Sequence, residues 1–230
     1  MRRLPCFTKA AELPSVSILG SSGAGKSVIL DRCAELGPLA SGHGEYSVVG
    51  IACHEWETWE SFLTDPGRYA FANQMEALRK TVDTLVCVER LSGPFDYVVT
   101  DASPMRVKMY TEIMFDVDLL SPEEFGRWQS EYRHQLTRIP RSAAFLYLVL
   151  DTGERALRDG AGGHDGRWSN GDQLKALLDA RFDDLLAERR ATGELGATVV
   201  ASATPAEMLA DFRKRLLEDA RTRHDGRARE

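Results

Sequence analysis

Gly20-Ser21-Ser22-Gly23-Ala24-Gly25-Lys26-Ser27 closes a glycine-rich run with a lysine and a hydroxyl, a spacing that matches the phosphate-binding loop at every fixed position. Glycines at 20, 23 and 25 let successive backbone N–H groups turn inward on a polyphosphate at a helix N-terminus. Lys26 adds a mobile cation for the β- and γ-phosphates, and Ser27 offers its hydroxyl to magnesium. The ligands implied are ATP and Mg2+, and the chemistry within reach is phosphoryl transfer. That reaction also needs a carboxylate near the metal, cations for the transferred group and something to orient the acceptor.

Each of those parts has a candidate. Phe95-Asp96-Tyr97-Val98-Val99-Thr100-Asp101 reads as an apolar strand ending in an acid, and ligands sit at the carboxyl ends of parallel strands. Asp101 is thus a candidate metal ligand, or alternatively the N-cap of a segment starting at Pro104. Ile51-Ala52-Cys53-His54-Glu55-Trp56-Glu57 is a second strand end, where His54, Glu55 or Glu57 could take the proton of an acceptor hydroxyl. Arg155 and Arg158 precede the glycine-rich stretch 159–171 and Arg167 lies across it, and arginines on a closing lid can neutralise a phosphoryl group in flight.

These residues need a scaffold of strands and helices in alternation. Strands are expected at 16–19, 47–53, 96–100, 144–150 and 197–201, with helical patterns between them, which implies a parallel sheet covered on both faces. A helix over about 28–36 follows the phosphate loop. Phe71, Met75, Leu78, Val82, Leu85 and Val86 recur at helical spacing, so 68–91 is expected to be one long amphipathic helix. Ser121-Pro122-Glu123-Glu124 carries an N-cap, a first-turn proline and a capping-box glutamate, opening a helix over 122–138.

A chain of 230 residues that is 43% hydrophobic suits one α/β domain. Residues 1–14 are expected to be loose, 15–220 to form the domain with a lid at 155–171, and 221–230 to be a charged tail without structure. The net charge of −6 argues against a general nucleic-acid or anionic-membrane binder. Cys6, Cys33, Cys53 and Cys87 lie far apart with no C-x-x-C pair, so they read as reduced thiols, three of them in core-like segments. No run is apolar enough to cross a bilayer or act as a secretory signal, and the expected compartment is the cytoplasm.

Beyond the loop, Trp59-Glu60-Ser61-Phe62-Leu63-Thr64-Asp65-Pro66-Gly67-Arg68-Tyr69-Ala70-Phe71-Ala72-Asn73-Gln74 resembles a block of the deoxynucleoside kinase family, which includes deoxycytidine, deoxyguanosine and deoxyadenosine kinases and, more remotely, the herpesviral thymidine kinases. The likeness spans roughly 15–220. It implies a three-layer P-loop fold with a five-stranded parallel sheet and helices on both faces, and transfer of the ATP γ-phosphoryl to the 5′-hydroxyl of a deoxynucleoside such as thymidine or deoxycytidine. It further implies that Gln74 reads the base, that Trp59, Tyr69, Phe71, Met75, Met105 and Arg106 surround the substrate with Asp101, and that Ala203 and Thr204 lie against the adenine.

Two positions depart from the family pattern. The family's glutamate base stands five residues before the tryptophan, which lands on His54, with Glu55 one position off. The family's arginine after the middle strand is replaced in Asp101-Ala102-Ser103-Pro104. Arg106 is a candidate to reach the same space, and an arginine restored at 102 is expected to raise activity if the missing contact is all that is lacking. Alternative acceptors are a nucleoside monophosphate or a modified base in DNA; a catalytically weakened nucleotide-binding protein is a further alternative. Family members are commonly homodimers through their long helices, which implies the same for this chain.

Overall fold

The computed structural model describes residues 15–20, 25–33, 39–41, 44–46, 48–53, 56–89, 97–139, 145–151, 171–192, 198–200 and 205–227. In chain order the elements are β1 (Ser15–Leu19), α1 (Lys26–Arg32), β2 (Leu39–Ser41), β3 (Gly44–Tyr46), β4 (Val48–Ile51), α2 (Trp59–Thr64) and α3 (Pro66–Glu89). They continue with β5 (Tyr97–Thr100), α4 (Pro104–Asp116), α5 (Pro122–Leu136), β6 (Phe145–Asp151), α6 (Gly171–Ala191), β7 (Thr198–Val200) and α7 (Pro205–Arg227).

Strands β4, β5, β1, β6 and β7 form one sheet in that order, every neighbouring pair parallel. β1 lies at its centre, between β5 and β6. The chain therefore changes sides of the sheet at β1, the switch point where open α/β sheets hold their ligands, and the loop 20–27 leaves from there. Successive strand residues face opposite sides of a sheet. Ile18 and Leu19 are both 0% exposed, so both faces are covered. On one side Leu19 packs into a cluster with Phe62, Met109, Met114 and Phe182, contributed by α2, α4 and α6. On the other, α1 packs against β4 and α7, and α7 against β7.

The strands start or stop within a few residues of the expected positions. Helix α3 opens at Pro66, where proline is suited to the first helical position, and Asp65 accepts the Arg68 amide at 3.3 Å. Helix α5 has the expected capping box, with the Ser121 hydroxyl accepting from the Glu124 amide and the Glu124 carboxylate accepting from the Ser121 amide. The short hairpin β2–β3 and the one-and-a-half-turn α2 were not signalled by periodicity. Helix α7 runs to Arg227, into the tail expected to lack structure. Cys33 is buried and Cys53 half-buried, but Cys87 is exposed, contrary to a core position. Among the described residues no helix is long and apolar enough to cross a membrane.

Candidate functional site

The end of the 20–27 loop has the geometry that a glycine at 25 permits. Gly25 takes φ 83° and ψ 13° at the N-cap of α1, a left-handed conformation that a side chain would strain. The next side chain, Lys26, reaches back to the end of β1, where its amine donates to the Gly20 carbonyl at 2.9 Å. Lys26 is only 9% exposed. Burial, and then the Arg106 guanidinium, bring its amine down to about 7, against the opposing pull of Asp101, Asp179 and Asp183. Ser27 is exposed in the first turn of α1.

Asp101, at the end of β5, is not a helix cap. Ser103 caps α4, its hydroxyl accepting from the Arg106 amide at 3.1 Å with Pro104 following. The Asp101 carboxylate instead accepts from the Cys53 amide at 2.7 Å, tying the end of β5 to the end of β4. Asp101 also lies close enough to Lys26 to favour its charge. A hydroxyl following β1 and a carboxylate at the end of its neighbour β5 are hard oxygen donors, a set that fits magnesium.

Arg106, in the first turn of α4, lies over the Tyr110 ring at 5.6 Å, and its buried Nε has no hydrogen-bond acceptor among the described residues. Tyr110 donates to the Asp179 carboxylate at 3.0 Å and stacks on Phe182 at 4.7 Å. Burial pushes the Tyr110 hydroxyl above its usual range. Asp179 and Asp183 are the site residues that sequence reasoning missed. Spaced i, i+4 on α6, they belong to no local motif, and only the tertiary fold brings their charges within range of Lys26.

Gln74 is 2% exposed on α3. Its amide donates to Asn73 Oδ1 at 3.1 Å, and its oxygen accepts from the Thr111 hydroxyl of α4 at 2.9 Å. Helix α4 thus places Arg106 within electrostatic range of Lys26 and bonds Gln74 through Thr111. Nearby, Glu76 accepts from the amides of Glu57 and Thr58, each at 2.9 Å, and from the Thr58 hydroxyl at 2.6 Å. Burial opposes the ionisation of Glu76, but the Thr58 hydroxyl, those two amides and Lys80 outweigh it and hold the carboxyl at about 2.

The aromatic residues of the 59–74 block are distributed over several contacts. Trp59 meets Trp56 edge-on at 5.8 Å and Phe62 at 5.7 Å. Arg68 covers Tyr69 at 5.3 Å. Phe71 and Met75 face α5 across a shallow groove, with Arg127 over the Phe71 ring at 5.0 Å. Met105 receives the Arg189 guanidinium at 3.1 Å. The structure therefore brings Lys26, Asp101 and Arg106 together and joins Gln74 to the same helix as Arg106, while Phe71 and Met75 face α5.

Ala102 corrects one expectation. It is 1% exposed in an apolar cluster with Ala77, Leu78, Val82 and Trp128, so an arginine there would be buried in the core rather than presented to a phosphate. His54, Glu55, Arg155, Arg158, Arg167, Ser21, Ser22, Gly23, Ala24, Ala203 and Thr204 lie outside the described residues, as does the glycine-rich stretch expected to be a lid.

No protein-family model matches the sequence, and no curated protein matches it in sequence. Solved structures do match the fold. Deoxyadenosine kinase from M. mycoides with bound dATP superposes with a TM-score of 0.65 at 14% identity, over 88% of this chain and 98% of that one. The same enzyme with bound dCTP gives 0.62 over the same shares, at 14% identity. The NadR protein in complex with NAD and AMP-PNP gives 0.52 at 17% identity, over 89% of this chain, which spans about half (49%) of the NadR chain. The chain shares with these proteins an α/β fold built on a parallel sheet.

Proposed function

We propose that this chain is an ATP-dependent deoxynucleoside kinase, moving the γ-phosphoryl of ATP to the 5′-hydroxyl of a deoxynucleoside. The observation that carries the reading is the convergence on Lys26 at the sheet's switch point. Asp101 arrives from β5 and Arg106 from α4, and α4 continues to the buried Gln74. In this scheme the 20–27 loop and Lys26 hold the phosphates, Ser27 and Asp101 serve Mg2+, and Gln74 orients the base. Magnesium would supply charge neutralisation between the phosphate oxygens. Arg106 replaces the cation that the buried Ala102 does not provide, supported by its unmatched Nε and its effect on Lys26. His54 or Glu55 takes the hydroxyl proton, and Arg155, Arg158 and Arg167 close over the reacting group.

The M. mycoides enzyme is described with dATP and dCTP, both of whose bases carry an exocyclic amino group. Deoxycytidine and deoxyadenosine are therefore the first acceptors to offer, ahead of thymidine. Radiolabelled ATP supplied with each deoxynucleoside, each monophosphate and single-stranded DNA tests the reading. Label in a nucleoside 5′-monophosphate is the expected result, and no transfer to any nucleoside overturns it. The absence of a family-type arginine at Ala102 favours the second reading, a nucleotide-binding protein without turnover, which predicts magnesium-dependent ATP binding and no labelled product.

A further inference from the structure

An unbroken line of side-chain hydrogen bonds runs from Glu76 to Thr111, and its direction is fixed at one end only. Glu76 accepts the Thr58 hydroxyl at 2.6 Å, and an ionised carboxylate has no proton to give back. Thr58 has a single hydroxyl proton, so toward Asn73 it can only accept, and the contact at 3.2 Å is made by the Asn73 amide nitrogen. That turns the Asn73 oxygen to Gln74, whose own nitrogen must donate to it at 3.1 Å. The Gln74 oxygen is then left for the Thr111 hydroxyl at 2.9 Å.

The Thr111 end is indifferent to direction. Its hydroxyl lies 2.8 Å from the Val107 carbonyl and 2.9 Å from Gln74. If it donated to Val107 alone, it could equally accept from a Gln74 amide turned over by 180°. The charge on Glu76, two residues beyond Gln74 on α3 and outside the block at 59–74, breaks that tie.

We infer that the relay Glu76–Thr58–Asn73–Gln74–Thr111 locks the Gln74 carboxamide in one orientation and thereby sets which class of base the site accepts, those with an exocyclic amino group or those with an exocyclic carbonyl. The inference rests on the reading of Gln74 as the base-facing residue. A carboxamide has one donating and one accepting end, so adenine or cytosine requires one orientation, and thymine or guanine the other, at the same place in the pocket. A freely turning amide would serve both classes. Thr58 and Glu76 are accordingly positioning residues.

Thr58→Val cuts the relay while leaving the Glu76 bonds to the Glu57 and Thr58 amides available, and Thr58→Ser keeps the hydroxyl. In 15N-labelled protein without ligand, the Gln74 side-chain amide should give one set of resonances in the wild type and in Thr58→Ser, and doubled or exchange-broadened resonances in Thr58→Val. The ratio of kcat/KM for deoxycytidine to that for thymidine should move toward unity by about tenfold in Thr58→Val, the value of one mispaired buried hydrogen bond, and be retained in Thr58→Ser. A loss of stability alone would lower both substrates together and leave the ratio unmoved. A single unchanged set of Gln74 resonances in Thr58→Val overturns the relay whatever the enzyme's activity. Doubled resonances with an unchanged ratio overturn its role in base choice. Failure of the wild type to bind or phosphorylate any nucleoside overturns the kinase reading and with it the role in base choice, while the resonances still decide whether the lock exists.

Discussion

Lys26 carries the most exact residue-level consequence. Its amine, held at about 7 chiefly by burial, is largely neutral above that pH in the empty protein. A bound polyphosphate favours the protonated form, so nucleotide binding should draw in a proton near pH 7.5. The sign follows: the folded value lies below the ordinary lysine value, the charged form is the one that binds, and affinity falls as pH rises above 7, by at most about tenfold per unit for one coupled proton. Calorimetry in buffers of different ionisation enthalpy should show proton uptake that vanishes in Lys26→Met. Ala102 makes an opposite kind of prediction. Ala102→Arg would bury a guanidinium among Leu78, Val82 and Trp128, at a cost of about 3 kcal/mol or more. The variant should melt well below the wild type and gain no activity; a variant that is both stable and more active would show that the side chain escapes the core. Of these residues Lys26 is singled out by the sequence because the loop motif is local, whereas its burial and its bond to Gly20 are not written in that motif. It misplaced the significance of Ala102, because no pattern within four residues says which face of the β5–α4 junction is buried.

At the level of elements, the close approach of β4 to α1 holds one edge of the sheet under the phosphate loop's helix. A Cβ on Gly50 would stand 2.5 Å from the Leu30 carbonyl oxygen and 3.1 Å from Cys33 Cβ. Both obstacles are atoms that α1 cannot swing aside. Gly50→Ala should therefore cost about 1–3 kcal/mol of overpacking, read as a fall of several degrees in melting temperature, whereas Gly126→Ala, with open space around its Cβ in the middle of α5, should be neutral or slightly stabilising. Strands and long helices were legible because their periodicity and caps are local: Pro66 opens α3 and Ser121 opens α5 as their sequences require. Helix α2 is too short to show a period, and the pairing of Leu39–Ser41 with Gly44–Tyr46 has no apolar alternation to announce it. The orientation of α6 was illegible for a different reason. Asp179 meets Tyr110 across 69 positions of sequence, and nothing near Asp179 distinguishes a carboxylate turned to a tyrosine from one turned to water.

For the whole molecule the sheet and the helices divide the work, and α4 joins the two parts. Its first turn presents Arg106 to the lysine at the switch point, while Thr111, about 7.5 Å further along the axis, meets the buried Gln74 on α3. One rigid helix thus sets the separation between the phosphate end and the base end of the proposed acceptor, and lesions at its two ends should be separable. Arg106→Met removes a cation whose charge matters most when the phosphoryl group is between oxygens. It should lower kcat by about 10²-fold or more and leave the KM for the deoxynucleoside within about twofold. Gln74→Leu removes hydrogen bonds made equally before and during transfer, and should raise the nucleoside KM while the KM for ATP stays where it was. Steady-state kinetics with both substrates varied distinguishes the two patterns. If Arg106→Met changes only the nucleoside KM, the guanidinium faces the acceptor rather than the transferred group, and the cation for transfer must be sought on the segment carrying Arg155, Arg158 and Arg167.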